Sequence, residues 1–281
     1  MKNKLLIVFW MIPTILLVMS LSAGCITLSK INLISTPQEQ DMGKQFSQEV
    51  EKEVKLIQDP FVASYVDSLG QRLVQNSRRS DIPYYIKVVD TDEVNAFALP
   101  GGYLYVNRGL IQTAESEAEL AGVMGHEIGH IVGRHGAKQL TKQIGLQALL
   151  GVVSGRNPGL ARQVASEVAG VSAGLTLLKY GREAEAEADG YAVQETYDAG
   201  IDPAGTATFF QKLLALNDQK PEDSRLARLF ATHPPTKERI VHVRADIAKL
   251  PPKKGLRKDA SRFQKVKAYL LQKYPMKKAQ K

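Results

Sequence analysis

Two histidines four residues apart, with a glutamate beside the first, form the pattern in this chain that can carry out chemistry. His126, Glu127 and His130 stand in the sequence His-Glu-Ile-Gly-His. On a helix, residues i and i+4 lie one turn apart on the same face, so Nε2 of both histidines can bind one metal ion. Zinc held in this way activates a water molecule, and Glu127 stands where it can remove that water's proton. The motif predicts a zinc metallopeptidase with one Zn²⁺ per chain.

The residues around this motif have the periodicity of an amphipathic helix. Apolar side chains recur at three- and four-residue spacing from Leu120 to Val132. This spacing predicts a helix over about 117–139, with one buried stripe. Such a helix carries both histidines toward a partly enclosed cleft, where the exclusion of water strengthens electrostatic interactions.

Three short segments before the motif alternate like β-strands. They are residues 84–90, 95–99 and 103–107, and Pro100-Gly101-Gly102 forms a turn between the last two. The rest of the chain has mostly helical signals. We therefore predict a mainly α, α+β fold with a small antiparallel sheet just before the motif helix.

Other helices have clear start and stop signals. The sequence Thr36-Pro37-Gln38-Glu39 has the form of a capping box and opens a helix to about Gln58. Further helices are predicted after Pro60, after Asp202-Pro203, from Thr236 to the prolines at 251 and 252, and over about 259–273. Residues 140–180 are apolar and rich in glycine, which fits either a mobile cover over the cleft or a buried helical pair.

A catalytic zinc normally has three protein ligands and one position for water, so a third ligand is needed. In a metzincin it would be a histidine six residues after His130, but Gly136 stands there. His135 is five residues after His130, and on a continuous helix this turns its side chain about 140° away. His135 is therefore a poor ligand. A later helical segment offers three carboxylates instead, those of Glu183, Glu185 and Glu187.

Four blocks of sequence, in order along the chain, resemble a known family. They are Asn-Ala-Phe-Ala-Leu-Pro-Gly-Gly at 95–102, the His-Glu-Ile-Gly-His motif, Glu185-x-x-Ala188-Asp189, and Thr232-His233-Pro234-Pro235 followed by Arg239. This set resembles the gluzincin metalloendopeptidases related to HtpX and the CAAX prenyl proteases, in particular the soluble bacterial lipoprotein branch of BepA and LoiP type. The region from the first block to the last, Asn95 to Arg239, spans about half of the chain.

The resemblance implies a zincin-like peptidase domain and a role for several residues. Glu185 would be the third metal ligand, and Asp189 would accept a hydrogen bond from a ligand histidine and fix its tautomer. Asn95, Ala96 and Phe97 would form an edge strand that pairs with the extended backbone of a substrate.

Two residues of the last block keep alternative interpretations. His233 resembles a switch that caps the open position of the zinc and keeps the enzyme latent. Alternatively His233, with Arg239 nearby, stabilises the oxyanion formed during peptide hydrolysis, or it only caps a helix beside Pro234.

The N-terminus has the pattern of a secretion signal. Lys2 and Lys4 precede an uncharged apolar run, and small residues then lead to Cys25, the only cysteine of the chain. This pattern resembles a bacterial lipoprotein processing site, with cleavage before Cys25 and lipid attachment to it. Because Ile26 follows instead of aspartate, the resemblance implies the outer membrane and a periplasm-facing position.

We accordingly divide the chain into a signal peptide (1–24), a metallopeptidase domain (25–250, with a zincin core over about 82–240) and a basic helical tail (251–281). The formal net charge of +8 is concentrated in the tail, which holds eleven lysines or arginines and one aspartate. A basic tail is typical of a solvated helix or of a surface that binds anionic membranes. No nucleic-acid partner is expected of a secreted lipoprotein.

The leading hypothesis is a zinc-dependent endopeptidase that hydrolyses misfolded or misassembled cell-envelope proteins; this substrate class comes from the resemblance. The alternative is a largely latent protease that acts as a periplasmic chaperone or assembly factor, with envelope-assembly proteins as further partners. A membrane-embedded protease is disfavoured because no second apolar run reaches spanning length.

Overall fold

The computed structural model of the protein describes residues 32–143, 179–219 and 224–276. The predicted signal peptide, Cys25 and nearly all of the glycine-rich stretch after residue 140 lie outside the described residues. None of the helices described is long and apolar enough to span a membrane.

Within the described residues, helices surround one small sheet. The helices are α1 (Thr36–Glu53), α2 (Pro60–Val74), α3 (Arg108–Thr113), α4 (Glu117–Val132), α5 (Arg182–Asp198), α6 (Ala204–Gln219), α7 (Ser224–Thr232), α8 (Lys237–Lys249) and α9 (Ser261–Lys273), and the strands are β1 (Tyr85–Val89), β2 (Ala96–Leu99) and β3 (Tyr103–Asn107). Residues 135–143 are also helical. The predicted fold class, α+β and mainly α, is confirmed.

Side-chain caps start the helices close to the predicted positions. Ser35, one residue before the predicted cap, forms a capping box with Gln38 at the start of α1. Ser116 accepts from the backbone N–H of Glu119 at the start of α4, and Thr236 accepts from that of Arg239 at the start of α8. Local polar residues thus fix where the motif helix and α8 begin.

The sheet is mixed, so the prediction of a purely antiparallel sheet was wrong in this detail. The strand order is β1-β3-β2, with β2 antiparallel to β3 and β1 parallel to it. The glycine turn fixes only the β2–β3 hairpin. The chain between β1 and β2 crosses the end of the sheet, which leaves β3 in the centre and β2 at an edge. Alternation identifies strands but does not specify this order of pairing.

The hairpin turn requires glycine. Gly102 has φ of 100°, and a Cβ atom at this position would lie 2.1 Å from the carbonyl oxygen of Pro83. The turn is held in this way against the loop before β1. One face of the hairpin packs with Val50 of α1 through Phe97 and Tyr105, so α1 covers the side of the sheet that faces away from the motif helix.

Helix α4 lies at the centre of the molecule. All its residues from Glu117 to Ile131 are buried, whereas the sequence predicted one buried stripe. The reason is that its glycines lie against other helices: a Cβ on Gly129 would meet the carbonyl oxygen of Ala188 in α5 at 2.8 Å. Hydrophobic periodicity does not detect a face made of small residues.

Helix α4 ends at Val132, so the predicted continuous helix to about residue 139 was also wrong. The chain turns at Gly133 and at Arg134, which has φ of 53°, and a new helical stretch begins at residue 135. Glu39 of α1 stabilises this break. Its buried carboxylate accepts hydrogen bonds from Arg134 at 2.8 Å and from Arg79, which also donates to the carbonyl of Ile131.

The basic tail packs onto the helices that precede it. Phe263, Val266 and Leu270 of α9 belong to the main core, and Lys273 pairs with Asp59 at 3.0 Å at the start of α2. Part of the positive charge of the tail therefore has intramolecular partners.

Candidate metal centre

The two motif histidines direct their Nε2 atoms at one point. Nε2 of His126 and Nε2 of His130 are 3.0 Å apart, as expected for residues one turn apart on α4. Both rings are buried. Because the two nitrogen atoms lie this close on buried side chains, the geometry suits a cation bound by both of them.

Helix α5 brings two carboxylates to the same place. Glu185 lies 3.5 Å from Nε2 of His126 and 3.4 Å from Nε2 of His130. Asp189, one turn later, lies 2.8 Å from Nδ1 of His126. The close approach of α5 to α4 at Gly129 makes both contacts possible. Of the three candidate carboxylates, Glu185 is the one that contacts both motif histidines. Glu183, by contrast, is exposed.

Arg239 of α8 lies behind these carboxylates. Its guanidinium donates to both oxygens of Asp189, at 2.6 and 2.8 Å, and its Nη1 lies 2.9 Å from Oε2 of Glu185. It also stacks over Phe210 of α6 at 4.5 Å. With these contacts Arg239 aligns the two carboxylates.

His233, between α7 and α8, completes a cluster with the motif histidines and Glu185. Its Nδ1 lies 3.0 Å from Glu185 and 3.4 Å from Nε2 of His126, and its Nε2 lies 3.6 Å from Glu127. One ligand atom from each of His126, His130, Glu185 and His233 lies within 4.8 Å of the others. The sequence left the position of His233 open, and the structure places it at the centre.

Glu127 links the motif helix to the edge strand. The backbone N–H of Ala98 in β2 donates to Oε2 of Glu127 at 3.1 Å. This N–H therefore points away from β3, toward the cluster. Of the predicted substrate-binding residues, Ala96 and Phe97 lie in β2 and Asn95 immediately precedes it.

A fourth histidine contacts the cluster from behind. Because the helix is interrupted at Arg134, His135 returns to His130 and their Nδ1 atoms are 2.8 Å apart. Nε2 of His135 lies 3.1 Å from Glu187. Tyr180 stacks on His130 with ring centroids 4.2 Å apart. Sequence reasoning gave Tyr180 no role and treated Glu187 as a solvated carboxylate; their only signal was proximity in sequence to Glu185.

Burial and neighbouring charge set the pKa values of the acids in opposite directions. Burial raises the pKa of Glu127, against the effect of His233 and His126. Burial also acts to raise the pKa of Glu185, but hydrogen bonds with the histidines outweigh it and hold this pKa far below the usual range. Glu185 is therefore ionised, as a metal ligand must be, while Glu127 is the more basic carboxylate.

The histidines differ in the same way. Burial acts to lower the pKa of His126, but hydrogen bonds with Asp189 and Glu185 outweigh it and raise the pKa to about 9. For His130 the effect of burial prevails, and its pKa is well below the usual value. In Asp189, the hydrogen bonds with Arg239 and His126 overcome burial and lower the pKa.

The donor set fits a divalent cation. Two imidazoles and one carboxylate match the ligands of catalytic zinc sites. Among the described residues, the buried Oε2 of Glu185 has no hydrogen-bond partner, although the Arg239 guanidinium lies 2.9 Å away and compensates part of its charge. On its other side lies Nε2 of His126, at 3.5 Å, and a cation bound between these two atoms would compensate the buried oxygen further.

Comparison with known proteins identifies the family. The family model described as peptidase family M48 matches residues 60–247. The chain belongs to peptidase family M48. The resemblance inferred from the four sequence blocks is thereby confirmed, as is the prediction of a metalloprotease with a metal cofactor.

Individual M48 relatives are similar over different shares of their length. The chain is 30% identical over 220 residues to the beta-barrel assembly-enhancing protease of Escherichia coli (strain K12), covering 75% of this chain and 44% of that protein. It is 29% identical over 193 residues to metalloprotease YcaL of the same organism (66% of this chain, 73% of that protein) and 28% identical over 162 residues to metalloprotease LoiP (58% and 62%). The match thus spans less than half of the assembly-enhancing protease.

Proposed function

We propose that this M48 member is a zinc-dependent metalloendopeptidase that hydrolyses misfolded or misassembled cell-envelope proteins. The observation that carries the proposal is the convergence of His126, His130 and Glu185 on one point, with the carboxylate of Glu127 beside it. His126, His130 and Glu185 are the proposed zinc ligands. A zinc ion bound there would supply Lewis acidity toward a water molecule and a peptide carbonyl.

Glu127 is the proposed general base. Its pKa is raised by burial, which improves its match to proton transfer near neutral pH. In this mechanism Glu127 removes a proton from the attacking water and then delivers it to the leaving amine. The remaining interactions hold the residues in place: Asp189 orients His126, and Arg239 orients Asp189.

The edge strand β2 is the proposed binding site for substrate backbone. Among the described strands it pairs with β3 alone, and the N–H of Ala98 points toward the cluster. An extended peptide can add to such an edge through main-chain hydrogen bonds, which place few demands on its sequence. This mode suits unfolded segments of many proteins. The name of the assembly-enhancing relative supports the choice of envelope proteins as substrates.

The position of His233 supports a second candidate function. The observation behind this candidate is the contact of His233 with Glu185 and His126. In the proposed metal centre His233 would fill the position that water needs. Such a protein would be a largely latent protease that binds envelope proteins as a chaperone or assembly factor. The contacts of His233 fit a switch role better than a helix cap. Arg239 contacts carboxylates and does not face the position where an oxyanion would form, so its contacts do not favour the oxyanion role.

A cleavage assay with an unfolded, casein-like protein tests the proposal. Wild-type protein with zinc should cleave it, a chelator should stop cleavage, and Glu127→Gln should abolish it while zinc binding is retained. The matched control is Glu183→Gln, an exposed acid on α5, which should cleave at the wild-type rate. Cleavage that survives Glu127→Gln would remove the proposed base. If wild type with one bound zinc binds the protein without cleaving it, and His233→Ala does cleave it, the latent form is the correct one.

We further propose that Cys25 anchors the protein in the outer membrane, facing the periplasm, after removal of residues 1–24. The sequence pattern alone supports this proposal, because Cys25 is outside the described residues. Cys25→Ala should move the protein from the membrane fraction to the soluble fraction, and unchanged partition would contradict lipid anchoring.

A further inference from the structure

A hydrogen-bonded chain leads from His130 away from the metal centre to the surface. Nδ1 of His130 and Nδ1 of His135 are 2.8 Å apart, and Nε2 of His135 lies 3.1 Å from Oε2 of Glu187. His135 is 4% exposed, whereas the side chain of Glu187 is 44% exposed. Neither His135 nor Glu187 is a proposed metal ligand or the proposed general base.

When a cation is bound at Nε2 of His130, one arrangement of protons along this chain follows. Nε2 of His130 faces Nε2 of His126 and Glu185, so it must be unprotonated to bind a cation. The proton of His130 is then on Nδ1 and is donated to Nδ1 of His135. Because that nitrogen accepts, His135 carries its own proton on Nε2 and donates it to Glu187.

We propose that His135 and Glu187 are positioning residues that fix the orientation and tautomer of His130, so that its Nε2 is directed at the metal. The inference rests on the proposed function, because it takes His130 as a metal ligand. It adds two residues to the site. One of them, His135, would point away from the metal if the helix continued without a break.

The fold is built to deliver His135 to this position. The positive φ of Arg134 redirects the chain, and Glu39 and the carbonyl of Ile34 hold the arginine side chain at 2.8 and 2.6 Å. Gly133 leaves room for the returning ring, since a Cβ there would lie 2.4 Å from Nε2 of His135. An unfavourable backbone conformation held by its own part-buried ion pair is the kind of local strain that functional sites retain.

Glu187 is held in place from its own helix. The hydroxyl of Tyr191, one turn later on α5, donates to its Oε1 at 3.1 Å, which leaves Oε2 for His135. Such outer partners of ligand histidines typically alter metal affinity by 10–100-fold when they are removed.

Zinc affinity, measured by competition with a chromophoric chelator on the full chain, tests the inference without relying on turnover. His135→Phe keeps a buried ring but has no acceptor, and it should weaken zinc binding about 10–100-fold. His135→Asn places its Oδ1 near the position of Nδ1 and should recover most of that loss. Glu187→Gln, on the half-exposed side, should weaken binding only a few-fold. The matched control is His242→Phe, an exposed histidine on α8, which should bind zinc as wild type does.

Thermal unfolding of the zinc-free variants separates positioning from packing. A positioning role predicts zinc-free melting temperatures near that of wild type for Glu187→Gln and weaker zinc binding in the same variant. Wild-type zinc affinity in both His135→Phe and Glu187→Gln would overturn the inference. Tighter zinc binding by His135→Phe than by His135→Asn would also overturn it, because that result would mean that packing of the ring matters and the acceptor atom does not. If wild type itself bound no zinc, the proposed function would fall together with the inference, which is a separate result.

Discussion

The two motif histidines occupy equivalent places on α4 but are held by different partners. His126 donates to Asp189, and Arg239 holds that carboxylate from behind with every charged group buried. His130 contacts a second imidazole, that of His135, and only then a half-exposed carboxylate, that of Glu187. One histidine is thus supported by an ion pair in the interior and the other by a neutral ring that leads to solvent.

This difference shows that one helix, α5, supports the two motif histidines in two different ways. Asp189 and Glu187 both lie on α5, two residues apart. Asp189 contacts His126 directly, whereas Glu187 is linked to His130 only through His135. The interior ion pair makes the His126 side rigid but leaves it sensitive to the loss of either charge. The His130 side depends on an interrupted helix and tolerates changes at its exposed end.

Removal of the arginine should have the largest effect on stability. Arg239→Met leaves Asp189 and Glu185 buried without their cationic partner, and breaking a buried pair costs about 3–5 kcal/mol. Denaturant unfolding of the zinc-free protein should show a loss of that size. Arg244→Met, an exposed arginine on the same helix, is the control and should stay within about 0.5 kcal/mol of wild type. Equal stability of the two variants would mean that Arg239 does not support the His126 side.

Neutralising Asp189 should weaken zinc binding more than neutralising Glu187. Asp189→Asn keeps the shape but loses the charge that holds His126 and pairs with Arg239, so we expect a 10–100-fold loss of affinity. The exposed acid Asp198 on the same helix provides a control, since Asp198→Asn should not change affinity. A larger loss in Glu187→Gln than in Asp189→Asn would reverse the comparison between the two sides.

A third acid on α5 shows what a buried carboxylate does without partners. Glu195 is buried, neither of its oxygens makes a hydrogen bond with any of the residues described, and burial raises its pKa well above the usual value. The folded protein therefore binds a proton that the unfolded chain releases above about pH 4.5. This contribution to stability is fully present below that pH and is lost as the pH rises through the raised pKa.

Replacing this acid should remove the pH dependence. Glu195→Met should be more stable than wild type at pH 8, by roughly 1–3 kcal/mol, the usual cost of burying a polar group without a hydrogen bond. The difference should shrink at pH 4. Urea unfolding at both values, with the exposed acid variant Glu183→Gln as control, provides the measurement. A gap that widens at pH 4 would give the wrong sign and contradict the assignment.

Sequence-based prediction succeeded where the relevant information is local. The spacing of His126 and His130 fixes one face of a helix, and capping residues fix where α4 and α8 begin. Glu185 and Asp189 were selected by the family pattern, since Glu183 and Glu187 offered the same chemistry. The structure places Glu185 and Asp189 beside the histidines, and their roles remain proposals.

Prediction failed where small residues and backbone strain decide the outcome. The return of His135 depends on the positive φ of Arg134, which no propensity favours and which Glu39, nearly a hundred residues earlier, stabilises. The burial of α4 on all sides depends on glycines that contribute nothing to a hydrophobic pattern. The central position of β3 depends on a crossing loop, which strand alternation does not encode.

The protonation states of the histidine rings provide the most direct test of the account. Long-range ¹H–¹⁵N NMR of the protein with one equivalent of zinc distinguishes protonated, unprotonated and metal-bound nitrogens in each ring. We expect His126 and His130 both to bind zinc through Nε2 and to carry a proton on Nδ1, while His135 carries its proton on Nε2. Zinc bound through Nδ1 of either motif histidine, or no shift of either ring on adding zinc, would contradict the proposed metal centre.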